Sequence, residues 1–343
     1  MTRKRLNRRI NKILSVKSIA DLAIVLNIPI HTLILQTNYK QYHEFSIPKR
    51  NGSRRHIEEP SPLLKDIQKR LNKYLQALYF RHKTSAAYGF IIDVKGTKDR
   101  TIVTNARQHL SASELMNIDM KDFFHKISKQ KVFQIFRSKP FGYQAELAKL
   151  LTELCCYKSR LPMGSPTSPV LTNFYCIKMD QEISAMAKEK GIVYTRFVDD
   201  MSFSIKKGKL PTDWKNQVSE ILHCHGLILN QEKTKVFHAG DTKIVTGILV
   251  SDRLDINPQL LLDTEDQIDT VRRVIQISGP NESNHPIWLK NHQQKIRGYL
   301  QFAKQILGQK DPRVKNLRQK YHKALHQPEW QGPLSWNDVP YFL

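Results

Sequence analysis

The stretch from Tyr194 to Ile205, YTRFVDDMSFSI, decides the fold of this 343-residue chain. Apolar and polar residues alternate on both sides of a central acidic pair, which is the pattern of two β-strands joined by a tight turn. The pattern predicts a hairpin with Asp199 and Asp200 at its tip. Like charges side by side repel each other, so a bound cation would compensate them. An isolated acidic pair is also common in ordinary surface turns, so the rest of the sequence has to decide.

A third acid, Asp119, follows the apolar stretch from Leu115 to Ile118, which predicts a strand. A side chain at the end of a strand can face a cleft. Three carboxylates on adjacent strands offer the hard oxygen ligands that Mg²⁺ prefers. Nucleotide polymerisation uses two such ions about 3.5 to 4 Å apart. We therefore predict that Asp119, Asp199 and Asp200 are catalytic carboxylates that bind two Mg²⁺ ions, with Mn²⁺ as an alternative.

The charge of the chain indicates a polyanionic partner. Lys and Arg number 55 against 31 Asp and Glu, a formal net charge of +24, which favours nucleic acid over a membrane. Residues 1–17 hold seven basic side chains and no acid, and residues 290–323 hold ten basic side chains against Asp311 alone. We interpret the first run as a phosphate-binding arm, with a solvated surface as the alternative.

Cysteine usage and hydropathy favour a cytoplasmic protein. The four cysteines lack the paired spacing of a metal site or a disulfide framework, and His223-Cys224-His225 is interpreted as structural because adjacent residues point in different directions. No apolar run reaches the roughly 18 residues of a membrane span. We therefore expect a soluble cytoplasmic protein with no membrane partner; the resemblance described below implies that the cytoplasm is bacterial.

The remaining pattern is α+β. Residues 11–36 predict a small helical cap broken at Pro29, and residues 42–60 predict a β-hairpin with a basic tip. A long amphipathic helix follows Pro62 and ends near Arg81, another spans 144–156, and basic helices follow Asp263. The absence of a long linker predicts that the lobes pack as one unit.

The order of four short motifs resembles the reverse transcriptases over about Phe45 to Ala303. Asp119 resembles motif A, and LPMGSPTSP at 161–169 resembles motif B. FVDD at 197–200 resembles motif C, and GLILNQEKT at 226–234 resembles motif D. NARQH at 105–109 and VTG at 245–247 resemble signatures of retron-type enzymes in particular.

This resemblance implies a right-hand polymerase fold with fingers, a palm of antiparallel sheet plus helices, and a helical thumb. It assigns residues 1–112 to N-terminal helices and fingers. Residues 113–255 form the palm, with a further fingers segment at about 128–160. Residues 256–343 form the basic helical thumb.

The resemblance also implies roles for single residues. Arg55, assisted by Lys49, Arg50 and Arg54, is expected to grip the incoming triphosphate. Phe124 blocks a ribose 2′-hydroxyl, Gly164 lets the backbone approach the nascent base pair, and Lys233 protonates or shields the leaving pyrophosphate. Met120 joins the three acids as a metal-binding position, and the expected nucleic-acid contacts are Asn105, His109 and Arg297.

Two short segments depart from the family pattern. Met163 stands where the family usually has Gln, and Phe197-Val198 stands where it usually has Tyr-Ala. Neither change removes a predicted metal ligand. We expect altered fidelity or processivity, because an amide hydrogen bond is lost and a β-branched side chain narrows the space beside the primer terminus.

The expected function is RNA-directed DNA synthesis in a bacterial retron. The resemblance implies dNTPs and a cognate structured noncoding RNA as substrates, a branched RNA–DNA product (msDNA), an effector protein encoded nearby and a role in antiphage defence. The alternatives are an intron-type or diversity-generating reverse transcriptase and an RNA-binding scaffold without synthesis.

Overall fold

The structure, a computed structural model, describes residues 1–48, 52–278 and 286–326. The chain divides into two compact units, Met1–Asp241 and Thr242–Leu343. The predicted tip residues Lys49 and Arg50, and residues 327–343 of the predicted thumb, lie outside the described residues.

The first unit opens with helices that pack on one long helix. These are α1 (Arg3–Leu14), α2 (Ile19–Leu26), α3 (Ile30–Asn38) and α4 (Pro62–His82). A capping box at Ser18 starts α2, and the left-handed Asn27 (φ 54°) ends it. The predicted helical cap is therefore present, but the break between α2 and α3 begins at Asn27 rather than at Pro29. The long helix lies where the sequence predicts it.

A two-stranded antiparallel hairpin separates α3 from α4. Its strands are β1 (Tyr42–Pro48) and β2 (Arg54–Pro60), with Tyr42 opposite Pro60 and Ile47 opposite Arg55. This arrangement confirms the predicted hairpin. Arg55 is exposed on the returning strand.

A four-stranded antiparallel sheet forms the centre of the first unit, in the order β4-β5-β3-β6. Its strands are β3 (Glu114–Met120), β4 (Val193–Phe197), β5 (Asp200–Ile205) and β6 (Leu229–Phe237). Around it lie α5 (Ile102–Ala106), α6 (Lys129–Arg137), α7 (Ala145–Cys155), α8 (Ser168–Tyr175), α9 (Ile177–Glu189) and α10 (Trp214–Cys224). Apolar residues of this sheet, including Met201 and Phe203, pack with α9 and α10 in one core.

The second unit combines a small sheet with three helices. The sheet contains β7 (Lys243–Val245), β8 (Ile248–Val250) and β9 (Leu254–Asp255), and the helices are α11 (Pro258–Ser278), α12 (Ile287–Leu307) and α13 (Pro312–His326). Arg313 forms ion pairs with Asp255 and Asp311, which ties the sheet to α13. The segment 242–255 was predicted as palm, but it packs within this helical unit.

Among the described residues, no single helix has the length and apolar composition needed to cross a membrane.

Candidate active site

The three predicted metal ligands converge at one end of the central sheet. Asp119 at the end of β3 lies directly opposite Asp200 at the start of β5. The backbone N–H of Met120 donates a 3.1 Å hydrogen bond to the carbonyl oxygen of Asp199, which ties the turn to β3. The side chain of Asp119 is also close enough to Asp200 to raise its pKa. Acids far apart in the chain therefore occupy one small volume.

This crowding has an electrostatic consequence. Burial raises the pKa of Asp200 to about 7, with further contributions from the charges of Asp199 and Asp119. Burial also raises the pKa of Asp199, and the charge of Asp119 adds to the shift. Asp199 and Asp200, whose pKa values are raised, form with the neighbouring Asp119 a donor set that fits a divalent cation, because added positive charge stabilises ionised carboxylates.

Lys233 on β6 partly compensates the acids. Its Nζ lies 2.9 and 3.1 Å from the two carboxylate oxygens of Asp119, and Asn230 donates a third hydrogen bond of 3.1 Å to the same group. Burial by itself lowers the pKa of Lys233. The hydrogen bond and the charge of Asp119 outweigh this effect, so the pKa of the lysine is raised. The predicted motif D lysine therefore contacts a predicted metal ligand directly.

A buried ion pair supports the acidic turn through the backbone of Val198. The guanidinium of Arg196 on β4 binds both carboxylate oxygens of Asp180 on α9 at 2.8 Å, and both side chains are fully buried. The Nη1 group of Arg196 also donates to the carbonyl oxygen of Val198 at 2.9 Å. Val198 has a φ of 63°, which is rare for a β-branched residue. The arginine therefore holds the strained residue that precedes Asp199.

Other side chains complete this network. Tyr194 and Thr84 each donate a 2.9 Å hydrogen bond to Asp180. The sequence analysis did not identify Arg196 or Asp180 as important to the site. A signal was present, because Arg196 occupies an inward-facing position in an otherwise apolar strand pattern.

A cleft of about 490 Å³ lies over the acidic turn. Its lining brings together residues that the sequence assigns to triphosphate, sugar and metal binding: Arg55, Phe124, Gly164, Asp199 and Asp200. The positive charge of Arg55 acts on Asp199 across this cleft. Met163, Phe197 and Val198, the positions that depart from the family pattern, also line it.

The structure gives a reason for Gly164 within the fold itself. Its φ is +136°, and a Cβ would lie 2.7 Å from the backbone oxygen of Glu58 on β2. Met163 accepts a 2.7 Å hydrogen bond from the N–H of Glu58, whose carboxylate binds Arg160 through two 2.8 Å hydrogen bonds. Close packing of β2 on the motif B segment therefore requires the glycine, independently of any base pair.

Two predicted nucleic-acid contacts are wrong. His109 is fully buried, and its ring nitrogens lie 2.7 Å from the hydroxyl groups of Ser204 and Thr195. Asn105 is only 1% exposed. Neither side chain offers a surface to RNA, and His109 instead connects α5 and the following turn to β4 and β5.

Two other predicted positions are restricted by their surroundings. The side chain of Met120 is 1% exposed within the apolar core, so only its backbone carbonyl could serve a metal. Arg297 lies in the second unit, where it lines a groove of about 350 Å³ together with Lys304, Arg318 and His322. This groove is basic.

Comparison with known proteins identifies the family. Residues 47–300 match the reverse transcriptase (RNA-dependent DNA polymerase) family. The chain is 31% identical over 235 residues to the retron Ec86 reverse transcriptase of Escherichia coli, covering 67% of this chain and 70% of the relative. It is 33% identical over 239 residues to the retron Mx162 reverse transcriptase of Myxococcus xanthus, covering 61% and 47%, respectively.

A third relative, the retron Ec83 reverse transcriptase of Escherichia coli, is 27% identical over 300 residues, covering 84% of this chain and 88% of the relative. Among solved structures, a telomerase from Candida albicans aligns with a TM-score of 0.44 and 12% identity, covering 84% of this chain and 61% of that chain. The family match over most of the chain, together with the retron relatives, shows that this protein is a retron-type reverse transcriptase with an α+β polymerase fold.

Proposed function

We propose that this RNA-directed DNA polymerase works by a two-metal mechanism with Mg²⁺, held by Asp119, Asp199 and Asp200. The observation that carries the proposal is the pairing of Asp119 with Asp200, which lines one cleft together with Asp199, Arg55 and Phe124. Bound divalent ions would lower the pKa of the attacking hydroxyl and neutralise the leaving pyrophosphate.

The side chains around the acids bind and orient the substrates. Arg55 faces the cleft with a planar guanidinium that suits bidentate contact with a triphosphate. Phe124 restricts the sugar position. Lys233 is protonated, since its pKa is raised, and it donates a proton or a hydrogen bond to pyrophosphate once it releases Asp119. The basic groove at Arg297 binds the duplex backbone.

The biological role rests on the family. The substrate would be a cognate structured noncoding RNA, and the product a branched RNA–DNA molecule (msDNA) made in the bacterial cytoplasm. An effector protein encoded nearby would use this product in antiphage defence. In this scheme residues 1–112 and about 128–160 serve as fingers, the rest of 113–255 as palm and residues 256–343 as thumb.

Expression of the chain with its upstream DNA tests this proposal. We expect a small RNA-linked DNA from the wild type and none from Asp199→Ala combined with Asp200→Ala. The matched control is Glu189→Ala combined with Glu220→Ala, which removes two exposed acids outside the cleft and should leave the product intact. If the wild type and the aspartate variant gave identical nucleic acid, the polymerase proposal would fail. The alternative of an RNA-binding scaffold without synthesis would then remain.

A further inference from the structure

Helix α1 carries an unusual concentration of positive charge. It holds Arg3, Lys4, Arg5, Arg8, Arg9 and Lys12 and no acid. Lys4, Arg5, Arg8 and Lys12 are exposed on the side opposite the packed residues Leu6, Ile10 and Ile13, and we call these four residues the α1 basic face. Within residues 1–48, 52–278 and 286–326, none of the four forms an ion pair.

This arrangement disfavours the helix electrostatically. Lys4 and Arg8, and Arg8 and Lys12, are four residues apart, a spacing at which like charges destabilise a helix. Arg5 also lowers the pKa of Arg9 after the larger effect of burial. A surface built only for solubility would intersperse acids among the bases. A bound polyanion would remove the repulsion.

The helix is held in place as a fixed platform. Leu6, Ile10 and Ile13 are buried in the same core as residues of α4. The N-terminal amine donates a 2.8 Å hydrogen bond to the carbonyl oxygen of Asp93, and Thr2 caps the helix. The expected arm is therefore a packed helix, and binding to its exposed face would cost little conformational entropy.

The composition of the face indicates which nucleic acid it fits. Proteins that bind single strands usually stack bases on aromatic side chains, and α1 contains no aromatic residue. Lys4, Arg8 and Lys12 form one row about 12 Å long, from a rise of about 1.5 Å per residue. Such a row can contact successive phosphates of a duplex whose bases are turned inward.

We propose that the α1 basic face binds the phosphate backbone of a double-stranded segment of the template RNA, outside the catalytic cleft. No residue of α1 is among those that line the cleft. The proposal rests on the proposed function for the identity of the RNA. It adds a second contact site that retains a structured template while the cleft holds the growing end.

The test uses the full chain and a fluorescent 20-base-pair RNA duplex. In the face variant, Lys4, Arg8 and Lys12 are each changed to Gln, which has a similar helix propensity. Fluorescence anisotropy across a KCl series gives the slope of log K against log salt. We expect this slope to become less negative by about 2.7, from three phosphate contacts at roughly 0.9 each as in B-DNA, with affinity at least tenfold weaker near physiological salt.

The matched control changes Lys206, Lys207 and Lys209 to Gln, which removes three exposed charges beyond the far end of β5. We expect a slope close to that of the wild type for this control. Equal slopes for the two variants would overturn the proposal, because only net charge would then matter. A larger loss on a single strand than on the duplex, or loss of anionic-vesicle binding with an unchanged RNA slope, would also overturn it.

A second readout separates this proposal from the proposed function. Extension of a short primer–template that occupies only the cleft should stay within about twofold of the wild type in the face variant. A parallel fall in extension and duplex binding would mean general damage and would reject a separate surface. If the wild type extends no primer, the polymerase proposal fails, while the slope measurement still decides whether α1 binds RNA.

Discussion

Arg196 donates a 2.9 Å hydrogen bond from its buried guanidinium to the carbonyl oxygen of Val198, the residue before the acidic pair Asp199-Asp200. The same guanidinium is neutralised by Asp180, and both side chains are fully buried. The left-handed backbone of Val198 (φ 63°) has to be maintained by its surroundings, since β-branched residues disfavour it. Arg196 is therefore a positioning residue for Asp199 and Asp200.

We expect the paired substitution Asp180→Leu with Arg196→Met to keep the fold and lose activity. Replacing a buried ion pair by apolar side chains is often neutral for stability, but Val198 loses its hydrogen-bond donor. The kcat for primer extension should fall at least tenfold, with little change in the KM for dNTPs. Tyr194→Phe and Thr84→Val weaken only the contacts to Asp180 and should keep kcat within about twofold. An unchanged kcat in the paired variant would assign Arg196 a purely structural role.

Removal of Lys233 should increase the effect of metal on stability. Lys233 holds both oxygens of Asp119, so a divalent ion has to displace it. Lys233→Met should lower the Tm in EDTA, and MgCl₂ should then raise the Tm more than it does in the wild type. Lys235→Met removes a charge from the same strand and serves as the control. If MgCl₂ raised the Tm of the wild type, Lys233→Met and Lys235→Met equally, Lys233 would not compete with the metal ion for Asp119.

Phe124→Ala should admit ribonucleotides. The ring lies in the cleft with the acidic turn, so its removal opens space at the expected sugar position. Single-nucleotide incorporation should show a relative rise in rNTP over dNTP use of at least tenfold. Phe90→Ala removes a second aromatic lining residue of the same cleft and should leave the ratio unchanged. The assignment would be rejected if Phe90 rather than Phe124 controlled sugar selection.

Gly164→Ala should destabilise the first unit. The added Cβ would meet the backbone of Glu58 at 2.7 Å in a conformation that L side chains rarely adopt. We expect a loss of about 1–3 kcal/mol in the free energy of unfolding by urea. Gly298→Ala, on a helix with nothing within 4 Å of the added atom, should cost nothing. A stable Gly164→Ala protein with reduced activity would restore the base-pair explanation.

Stability should fall in mild acid because of His109. Burial lowers the pKa of this histidine from 6.5 to about 3. Between these pH values the unfolded chain therefore binds a proton that the folded chain does not bind. The stabilisation is present above pH 6.5 and is lost as the pH falls toward 3. Between pH 8 and pH 5, the stability gap between the wild type and His109→Gln should shrink by about 2 kcal/mol. An equal difference in the free energy of unfolding between the wild type and His109→Gln at pH 8 and at pH 5 would contradict this prediction.

Local pattern was sufficient for the elements that carry the acids. The alternation in 194–205 and the apolar run before Asp119 predict β4, β5 and β3, and the structure contains all three. The hairpin of β1 and β2 and the long helix α4 were also predicted. Each of these elements depends on propensity and side-chain periodicity, which the order of residues expresses directly.

Patterns were insufficient where one residue serves a distant partner. The need for glycine at position 164 comes from the backbone of Glu58, and the buried His109 has Ser204 as a partner. The two residues of each pair are about 100 positions apart, so no local sequence pattern reveals the contact. The boundary between the two compact units, at Asp241, likewise depends on contacts between distant residues, such as the ion pair of Asp255 on β9 with Arg313 on α13. Such contacts depend on strand register, and a slip of one residue would turn every side chain to the opposite face.

The amino-acid sequence by itself determined the family, the α+β class and the identity of the three acids, because motif order and side-chain period are written along the chain. Only the tertiary structure decided how these acids are charged and held. Burial raises the pKa of Asp200 to about 7, Lys233 binds Asp119, and Arg196 supports Val198. These effects come from desolvation and short distances between groups far apart in sequence, which exist only after the chain has folded.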